Sequence, residues 1–354
     1  MFLTGIGTFC PPNRFTQAEC WEALQSSPQF AQLAPRSRAI LRKILLGESG
    51  VETRHLAYGK LSEAFELNPD ALHARFSLNA PLLAVGAAER ALGDAGLRPS
   101  DIGALLVSTC TGYLCPGLTS MVAERLGLPS DAVLLDLVGQ GCGAALPNLN
   151  TAHALIRAGK SRRVLSICVE ICSAALYIDN DPGVLVSASL FADGAAAAVL
   201  DHSADRRRRR VEWVDSESLL APAERDLLRF EQRGGMLRNI LALEVPGHAA
   251  RHAKSVLTAL LSRQQLHSSD ISGWILHAGG KNVLAALRDA LEIKETDVRL
   301  SADVLRGFGN LSSPFVLFVL QKALETRAPG GLWWMASFGA GFSSHGALLR
   351  VDPP

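Results

Sequence analysis

The sequence has no apolar run long enough to cross a membrane, and its first residues lack the basic region and long apolar stretch of a secretory signal. It also lacks an excess of either charge, because 35 basic and 34 acidic residues leave a net charge of +1. Near-neutrality provides no electrostatic footprint for nucleic acid or an anionic membrane. We therefore expect a soluble, unexported protein with neither nucleic acid nor membrane as its partner.

The densest positive charge is a run of five arginines at residues 206–210. No aromatic residues alternate with these arginines, so we predict a solvated loop there rather than a binding patch. A shorter basic stretch lies near the N-terminus and could contact a phosphorylated ligand, although a solvated helix face is the preferred interpretation. It consists of Arg36, Arg38, Arg42 and Lys43.

Cysteine is present in an odd number and without the close pairs of a zinc site. Several of the seven lie in apolar runs, which indicates reduced thiols in a cytoplasmic protein rather than a disulfide framework. They are Cys10, Cys20, Cys110, Cys115, Cys142, Cys168 and Cys172.

The chain of 354 residues is 48% hydrophobic, enough to build two halves that each contribute a core. Helical segments over residues 17–42 are interrupted by Pro28 and Pro35. From residue 80 the pattern becomes regular, with a helix predicted at 81–96, a strand at 102–108 and a helix at 119–126.

Cys142 stands in a turn between a predicted strand and a predicted helix. The apolar residues 132–135 indicate a buried strand, glycines flank Cys142, and residues 148–158 have helical composition. Pro147 suits a first helical turn, where no N–H is needed. A cysteine at a helix N-terminus is favoured as the nucleophilic thiolate. The alternative is a small buried thiol in a strand–helix corner.

Three pairs of segments show that the sequence repeats itself. In order, residues 91–107 resemble 260–276, the Cys142 turn resembles 307–312, and residues 191–200 resemble 338–349. The repeat predicts two similar α/β halves, residues 1–205 and 206–354, packed face to face. A two-fold relation would bring the Cys142 turn opposite the turn that holds Asn310.

The same relation places His277 near both turns, because it ends the apolar strand 274–276. Gly279 and Gly280 follow it and would let a ligand approach the backbone. Polar groups at strand ends are where open α/β folds place their chemistry. Of the other histidines, His153 is interpreted as structural, His345 could line a cavity, and no function is assigned to His55, His202, His248, His252 or His267.

A cysteine, a histidine and an asparagine are compatible with two chemistries. In a papain-like hydrolase, asparagine orients the histidine that activates the cysteine. In a thioester-condensing enzyme, the cysteine holds an acyl group while histidine and asparagine stabilise the enolate formed by decarboxylation. A duplicated α/β chain with an internal nucleophile favours condensation, because a papain-like cysteine lies near the mature N-terminus.

Three motifs resemble the signatures of type III polyketide synthases, the chalcone and stilbene synthase family. They are GQGCG at 139–143, HAGG at 277–280 and GFGNLSS at 307–313. The similarity runs over most of the chain from about residue 50, and it includes Glu170 and FADGAA at 191–196. It implies an α/β thiolase-like fold, with two pseudo-symmetric halves in a layered αβαβα core.

The resemblance also implies roles for individual residues. Cys142 would accept the acyl group, and His277 would form an ion pair with its thiolate and join Asn310 in polarising the malonyl thioester. Phe191 would be the gate between a coenzyme A tunnel and the cavity. Cys110, Thr111, Cys172, Ala175 and Ser312 match cavity-lining positions, for which ordinary core packing is the alternative, and Cys115 matches a loop residue that reaches into the partner of a homodimer.

Two positions depart from the plant pattern of the family. Asn239 stands where plant members have a second gating phenylalanine. This difference weakens the prediction of a plant-like starter substrate. SFGAG at 337–341 replaces GFGPG in a loop that shapes the cavity floor. Cys110 and Cys172 are more similar to bacterial members.

The main hypothesis is therefore a homodimeric acyltransferase that repeatedly extends an acyl-CoA starter on Cys142 with malonyl-CoA and cyclises the product. It needs no metal or organic cofactor, since coenzyme A thioesters are its substrates. One alternative is a ketoacyl-ACP synthase III-like enzyme performing a single condensation, which the two glycines after His277 disfavour. Another is a catalytically silent scaffold. The starter, the number of extensions and the mode of ring closure are left open.

Overall fold

The structure, a computed structural model, describes residues 1–47, 49–205 and 208–354. The N-terminal part contains β1 (Phe2–Phe9), β2 (Arg14–Thr16), α1 (Gln17–Gln25), α2 (Pro28–Gln32), α3 (Pro35–Leu45), β3 (Thr53–His55), α4 (Pro69–Ala95), β4 (Ala104–Thr109), α5 (Leu118–Leu126), β5 (Val133–Val138), α6 (Ala145–Arg157), β6 (Arg163–Glu170), α7 (Pro182–Leu190) and β7 (Gly194–Asp201).

The C-terminal part contains β8 (Val211–Leu220), β9 (Leu228–Arg233), β10 (Met236–Leu241), α8 (Val245–Gln264), β11 (Ile271–Leu276), α9 (Lys281–Leu291), α10 (Glu295–Phe308), α11 (Phe315–Glu325), β12 (Gly331–Gly339) and β13 (Ser343–Val351). Single 3-10 turns at Pro99–Asp101, Gly141–Gly143, Pro222–Leu227 and Ser268–Asp270 connect several of these elements.

Nine strands follow one hydrogen-bonded order, β11-β12-β13-β8-β1-β7-β6-β4-β5. Strand β4 pairs in parallel with β5 and β6, and β11 pairs in parallel with β12. The strands of the two parts meet where β1 and β8 pair antiparallel at two positions. The sheet therefore runs from one part of the chain into the other.

Helices pack on both faces of these strands, which produces the layered α/β core. On β7, Ala195, Ala197 and Val199 face a cluster built with α4, because alternate side chains of a strand point to opposite faces. Residues 196, 198 and 200 join the larger cluster that contains α6, α11, α8 and the C-terminal strands. The apolar helix α11 is buried from Phe315 to Leu320. The predicted fold class is confirmed.

The repeat in the sequence is one supersecondary unit used twice. Gly96 caps the C-terminus of α4 and Gln265 that of α8, both with left-handed backbone, and each helix is followed by a 3-10 turn and a strand. Asp101 and Asp270 cap these two turns, each accepting a hydrogen bond from the backbone N–H three residues earlier. The boundary between halves at 205 and 206 stays a prediction.

Local signals located most elements, with differences at their ends. Pro28 and Pro35 each occupy the first turn of a helix, so they separate α1, α2 and α3 as predicted. The helix predicted from residue 81 begins at Pro69 instead, because the Asn68 side chain caps it by accepting from the Ala71 N–H. Pro81 lies inside that helix.

Strand β5 departs more seriously from prediction, since residues 132–135 were expected to form a buried strand. The strand lies at the edge of the sheet with β4 as its neighbour, and Leu134, Leu135 and Val138 are exposed. The prediction of burial is wrong because an apolar run does not distinguish a strand covered within the chain from one at a sheet edge.

The arginine run also differs from the predicted solvated loop. Arg206 and Arg207 lie outside the described residues, while Arg208 pairs with Asp94 and Arg209 donates to the backbone carbonyl of Asp352. The described arginines therefore fasten the segment to the protein. Among the described residues, every helix is too short or too polar to span a bilayer.

Candidate active site

Cys142 lies in a sharp turn between β5 and α6, as the sequence predicted. Gly139 and Gly141 have φ values of 83° and 59°, a region that glycine enters without the steric cost of a side chain. Cys142 is in the 3-10 turn Gly141–Gly143, immediately before the start of α6 at Ala145. The sulfur of Cys142 therefore lies at the N-terminus of α6.

The C-terminal part of the chain holds this turn in place. Ser337 Oγ donates a hydrogen bond to the Gly143 carbonyl oxygen at 2.9 Å. A Cβ atom on Gly339 would lie 2.4 Å from the Gln140 carbonyl oxygen and 2.5 Å from the Gly143 nitrogen. Only glycine allows β12 to approach the Cys142 turn this closely.

A serine hydroxyl group contacts the Cys142 sulfur. Ser312 Oγ donates to Sγ at 3.2 Å, and the cysteine is 9% exposed. Burial raises the pKa of Cys142 to about 12, and the Ser312 hydroxyl partly offsets that effect. The expectation that the helix N-terminus favours the thiolate is therefore wrong for this structure, where desolvation dominates.

Asn310 links the segment after α10 to the loop after β11. Its Nδ2 donates to the Gly279 carbonyl oxygen at 3.0 Å, and its Oδ1 accepts from the Ser312 N–H at 2.9 Å. An amide nitrogen carries two hydrogens, so one remains available for a further acceptor. Asn310 therefore connects the histidine loop to the residue that contacts Cys142.

The Asn310 backbone also fixes Phe191. Its N–H donates to the Leu190 carbonyl at 2.8 Å, and its carbonyl accepts from the Ala192 N–H at 2.9 Å. These two bonds bracket Phe191, so the proposed gate and the proposed oxyanion donor belong to one rigid element.

His277 follows β11 and is 1% exposed. Its ring makes edge contacts with Phe315 and Phe338, with centroids 5.2 and 5.0 Å away. Among the described residues neither ring nitrogen has a hydrogen-bond partner, which is uncommon for a buried polar group and leaves both nitrogens free to bind a ligand. Burial lowers the pKa of His277 to about 3, so the neutral imidazole is favoured.

One hydrogen-bonded network joins Cys142 and Asn310 to the loop that follows His277, but the predicted ion pair between His277 and Cys142 is not formed among the described residues. Ser312 contacts Cys142, Asn310 holds Ser312, and Asn310 bonds to the loop two residues beyond His277. Within the described chain, no hydrogen bond joins the imidazole to the thiol. The low pKa of His277 and the high pKa of Cys142 favour two neutral groups.

A largely apolar cavity opens beside Cys142 and contains most of the predicted lining residues. These are Cys110, Thr111, Cys172, Ala175, Phe191 and Ser312, joined by Asn239, Phe230 and Ala340. Side chains from α1 and α3 extend its wall. His277 and Asn310 do not line it, and Cys115 lies apart as an exposed residue between β4 and α5. Its predicted reach into a partner stays a prediction.

Glu170 has a positioning role that the sequence did not define. Its carboxylate is fully buried at the end of β6 and accepts from Ser313 Oγ at 2.5 Å, Thr111 Oγ1 at 2.8 Å and the Cys110 N–H at 3.0 Å. Burial raises the pKa of Glu170. Glu170 thus joins the cavity loop after β4 to the segment after Asn310. The sequence feature that could have indicated this role is a single acidic residue at the end of an apolar strand.

Family models match both parts of the chain. Residues 11–215 match the model described as FAE1/Type III polyketide synthase-like protein, and residues 227–351 match the chalcone and stilbene synthases, C-terminal domain. Together they cover nearly all of the elements that build the site.

Individual relatives agree with these models. The chain is 32% identical to a 1,3,6,8-tetrahydroxynaphthalene synthase of Streptomyces peucetius subsp. caesius, covering 98% of this chain and 92% of the relative. It is 32% identical to a 3,5-dihydroxyphenylacetyl-CoA synthase of Streptomyces toyocaensis, covering 98% and 89%. These relatives give no support to the single-condensation alternative.

Solved structures share the whole fold. PKS-I from the brown alga Ectocarpus siliculosus has a TM-score of 0.90 at 25% identity, with 99% of this chain and 97% of that one covered. The tetrahydroxynaphthalene synthase of Streptomyces coelicolor A3(2) has a TM-score of 0.88 at 25% identity, with both chains fully covered. The chain therefore belongs to the type III polyketide synthase family and is an acyltransferase of thiolase-like fold.

Proposed function

We propose that this polyketide synthase loads an acyl-CoA starter on Cys142, extends it with malonyl-CoA by repeated decarboxylative condensation, and releases a cyclised product. The observation that supports this proposal is the hydrogen-bonded network from Cys142 through Ser312 and Asn310 to the His277 loop. This network links the loop after His277 and the Asn310 amide to the hydroxyl group on the sulfur of Cys142, which lines the cavity. No metal or organic cofactor takes part in these steps.

In the loading step the Cys142 sulfur attacks the thioester carbon of the starter. The thiol proton passes to the departing coenzyme A sulfur as the bond from carbon to that sulfur breaks, so no proton has to rest on His277, whose pKa burial lowers to about 3. The products are an acyl thioester on Cys142 and free coenzyme A. The high pKa of Cys142 makes the proton acceptor necessary, because the thiolate is scarce without one.

In the extension step malonyl-CoA loses its carboxylate as CO2, and the electron pair of the broken bond forms an enolate. The free Asn310 Nδ2 hydrogen and an N–H of His277 donate to the enolate oxygen. A neutral imidazole can serve as this donor, since burial lowers its pKa. The enolate carbon then attacks the acyl carbon and expels the Cys142 thiolate.

Incubation of the pure protein with labelled malonyl-CoA tests these assignments. The wild-type protein should release CO2, acquire label and yield extended products, whereas Cys142→Ala should yield no extended product. Cys10→Ala is the matched control, because that thiol lies outside the cavity. A Cys142→Ala variant that condenses at the full rate would refute the proposal. A panel of acyl-CoA starters, followed by product masses, then defines the starter and the number of extensions.

We also propose that the basic face of α3 binds the phosphates of coenzyme A. Leu41 and Leu45 of this helix line the cavity, while Arg36, Arg42 and Lys43 are exposed. The helix therefore offers a cationic surface at the wall of the cavity. Arg42→Glu should raise KM for an acyl-CoA and leave KM for a pantetheine thioester without phosphates unchanged. An equal effect on both substrates contradicts this assignment.

We propose a homodimer in which a second copy covers the edge of β5. An exposed edge strand with apolar side chains promotes association, and a partner subunit can cover it. Leu134, Leu135 and Val138 are exposed on β5. Cys115 would contact that second copy. Sedimentation should show a dimer that Leu135→Asp dissociates, and a monomeric wild-type protein would refute the idea. The free cysteines support a reducing, cytoplasmic location.

A further inference from the structure

We propose that Glu224, His248 and His252 form a binding site for a divalent transition metal of the zinc type. His248 Nδ1 and His252 Nε2 each lie 2.7 Å from Glu224 Oε2. One ligand atom from each residue falls within 4.8 Å of the other two. None of the three lines the cavity beside Cys142, and neither histidine lies in a motif of the polyketide synthase family.

The fold presents the two imidazoles together. His248 and His252 are four residues apart on α8 and therefore share a face of the helix, a spacing that metal-binding helices use. The Phe342 ring packs against both, with centroids 6.4 Å from His248 and 5.7 Å from His252. Packing restricts both rings, so little rotamer freedom would be lost on binding.

The hydrogen bonds of this cluster conflict with one another. His248 Nδ1 lies 2.7 Å from the Glu224 carboxylate and 2.8 Å from Arg251 Nη2. The carboxylate requires a donor at that nitrogen, whereas the guanidinium requires an acceptor, and one imidazole nitrogen cannot be both. A metal ion would accept lone pairs from both imidazoles and from the carboxylate. Arg251 also donates to Glu224 Oε1 at 2.7 Å, but its side chain is 55% exposed and can swing away.

Two nitrogens and one oxygen are a donor set suited to zinc rather than to calcium or magnesium, which prefer oxygen. The site joins the 3-10 turn Pro222–Leu227 to α8. Between these elements lie β9 and β10, which carry Phe230 and Asn239 into the cavity wall. Bound metal would fasten both ends of this hairpin, which is a structural role separate from the condensation chemistry.

Zinc binding to the untagged full-length protein tests the proposal. Equilibrium dialysis should give one Zn²⁺ per chain, and Tm should rise by about 3–4 °C when free Zn²⁺ is about 100 times Kd. His252→Gln and Glu224→Gln should each weaken binding at least about tenfold and abolish the Tm shift. His267→Gln, an exposed histidine beyond α8, is the matched control and should change neither.

Two further measurements separate this site from the cysteines and from a purely structural ion-pair cluster. Cobalt should bind without a thiolate-to-metal absorption band, because no sulfur is in the donor set. Arg251→Ala should tighten Zn²⁺ binding several-fold by removing the competing cation. The proposal is overturned if binding survives in His252→Gln and Glu224→Gln, if the thiolate band appears, if Arg251→Ala leaves Kd unchanged, or if no 1:1 binding occurs.

Discussion

The Ser312 hydroxyl should govern the reactivity of Cys142, since it donates the hydrogen bond that the sulfur accepts. Ser312→Ala removes this donor and keeps the Cβ atom, so the strain of the positive φ at this position is unchanged. A hydrogen bond to a charged acceptor contributes about 1.5–3 kcal/mol. At about 1.4 kcal/mol per pKa unit, its loss should raise the pKa of Cys142 by about one to two units.

The effect on rate is smaller than the effect on the thiolate population. A less acidic thiol yields a stronger nucleophile, with a Brønsted slope of about 0.4–0.5. Roughly half of the loss in thiolate population is thus recovered, which leaves a decrease of about three- to tenfold in the rate of attack on a disulfide reagent.

Mass spectrometry of the Cys142 peptide can follow its reaction with a small disulfide between pH 7 and 9. Ser313→Ala is the matched control, because the neighbouring hydroxyl donates to Glu170 and does not contact the sulfur. An unchanged Cys142 rate in Ser312→Ala, or an equal decrease in Ser313→Ala, would refute the reasoning.

Four further predictions concern the packing and ionisation around the site. Gly339→Ala should destabilise the fold by about 1–3 kcal/mol in urea unfolding, because its Cβ would overlap backbone atoms, whereas Gly307→Ala, with open space in a helix, should be neutral or stabilising. Glu170→Gln should lower the free energy of unfolding by about 1–3 kcal/mol, because an amide group would face hydrogen-bond donors that now meet a carboxylate. Below pH 6.5 His277 is protonated in the unfolded chain, whereas in the native state it stays neutral down to about pH 3. The free energy of unfolding should therefore decrease as the pH falls from 6.5 to about 3. His277→Gln should reduce the slope of this free energy against pH by about 1.4 kcal/mol per pH unit. Leu135→Asp should dissociate the proposed dimer in sedimentation experiments without unfolding the chain, because the side chain is exposed at a strand edge.

The sequence predicted the Cys142 turn and the segment opposite it because their signals were local or repeated. The glycines around Cys142 define a turn whatever packs on it, and the ordered repeat placed the Asn310 turn in the matching position of the second half. Ser337 was noted only as a departure from a motif. That its hydroxyl holds the Gly143 carbonyl depends on which strand packs on the turn, and no local pattern contains that information.

Electrostatics and burial were less predictable. A helix N-terminus argues for a thiolate at Cys142, but desolvation is set by every residue around the sulfur and outweighs the helix. The apolar β5 indicated burial, yet its exposure depends on its place at the sheet edge. Likewise, His248 and His252 show helical spacing in the sequence, whereas Glu224 joins them only through the fold.

The surroundings of Cys142 come from both the N-terminal and the C-terminal part of the chain. Cys142 belongs to the N-terminal part, but the hydroxyl on its sulfur and the hydrogen bond on its turn come from Ser312 and Ser337 of the C-terminal part. Asn310 in turn brackets Phe191 with two backbone hydrogen bonds. A substitution where these segments meet should therefore alter the reactivity of Cys142 and the position of Phe191 together, while one on the outer face of α4 should alter neither.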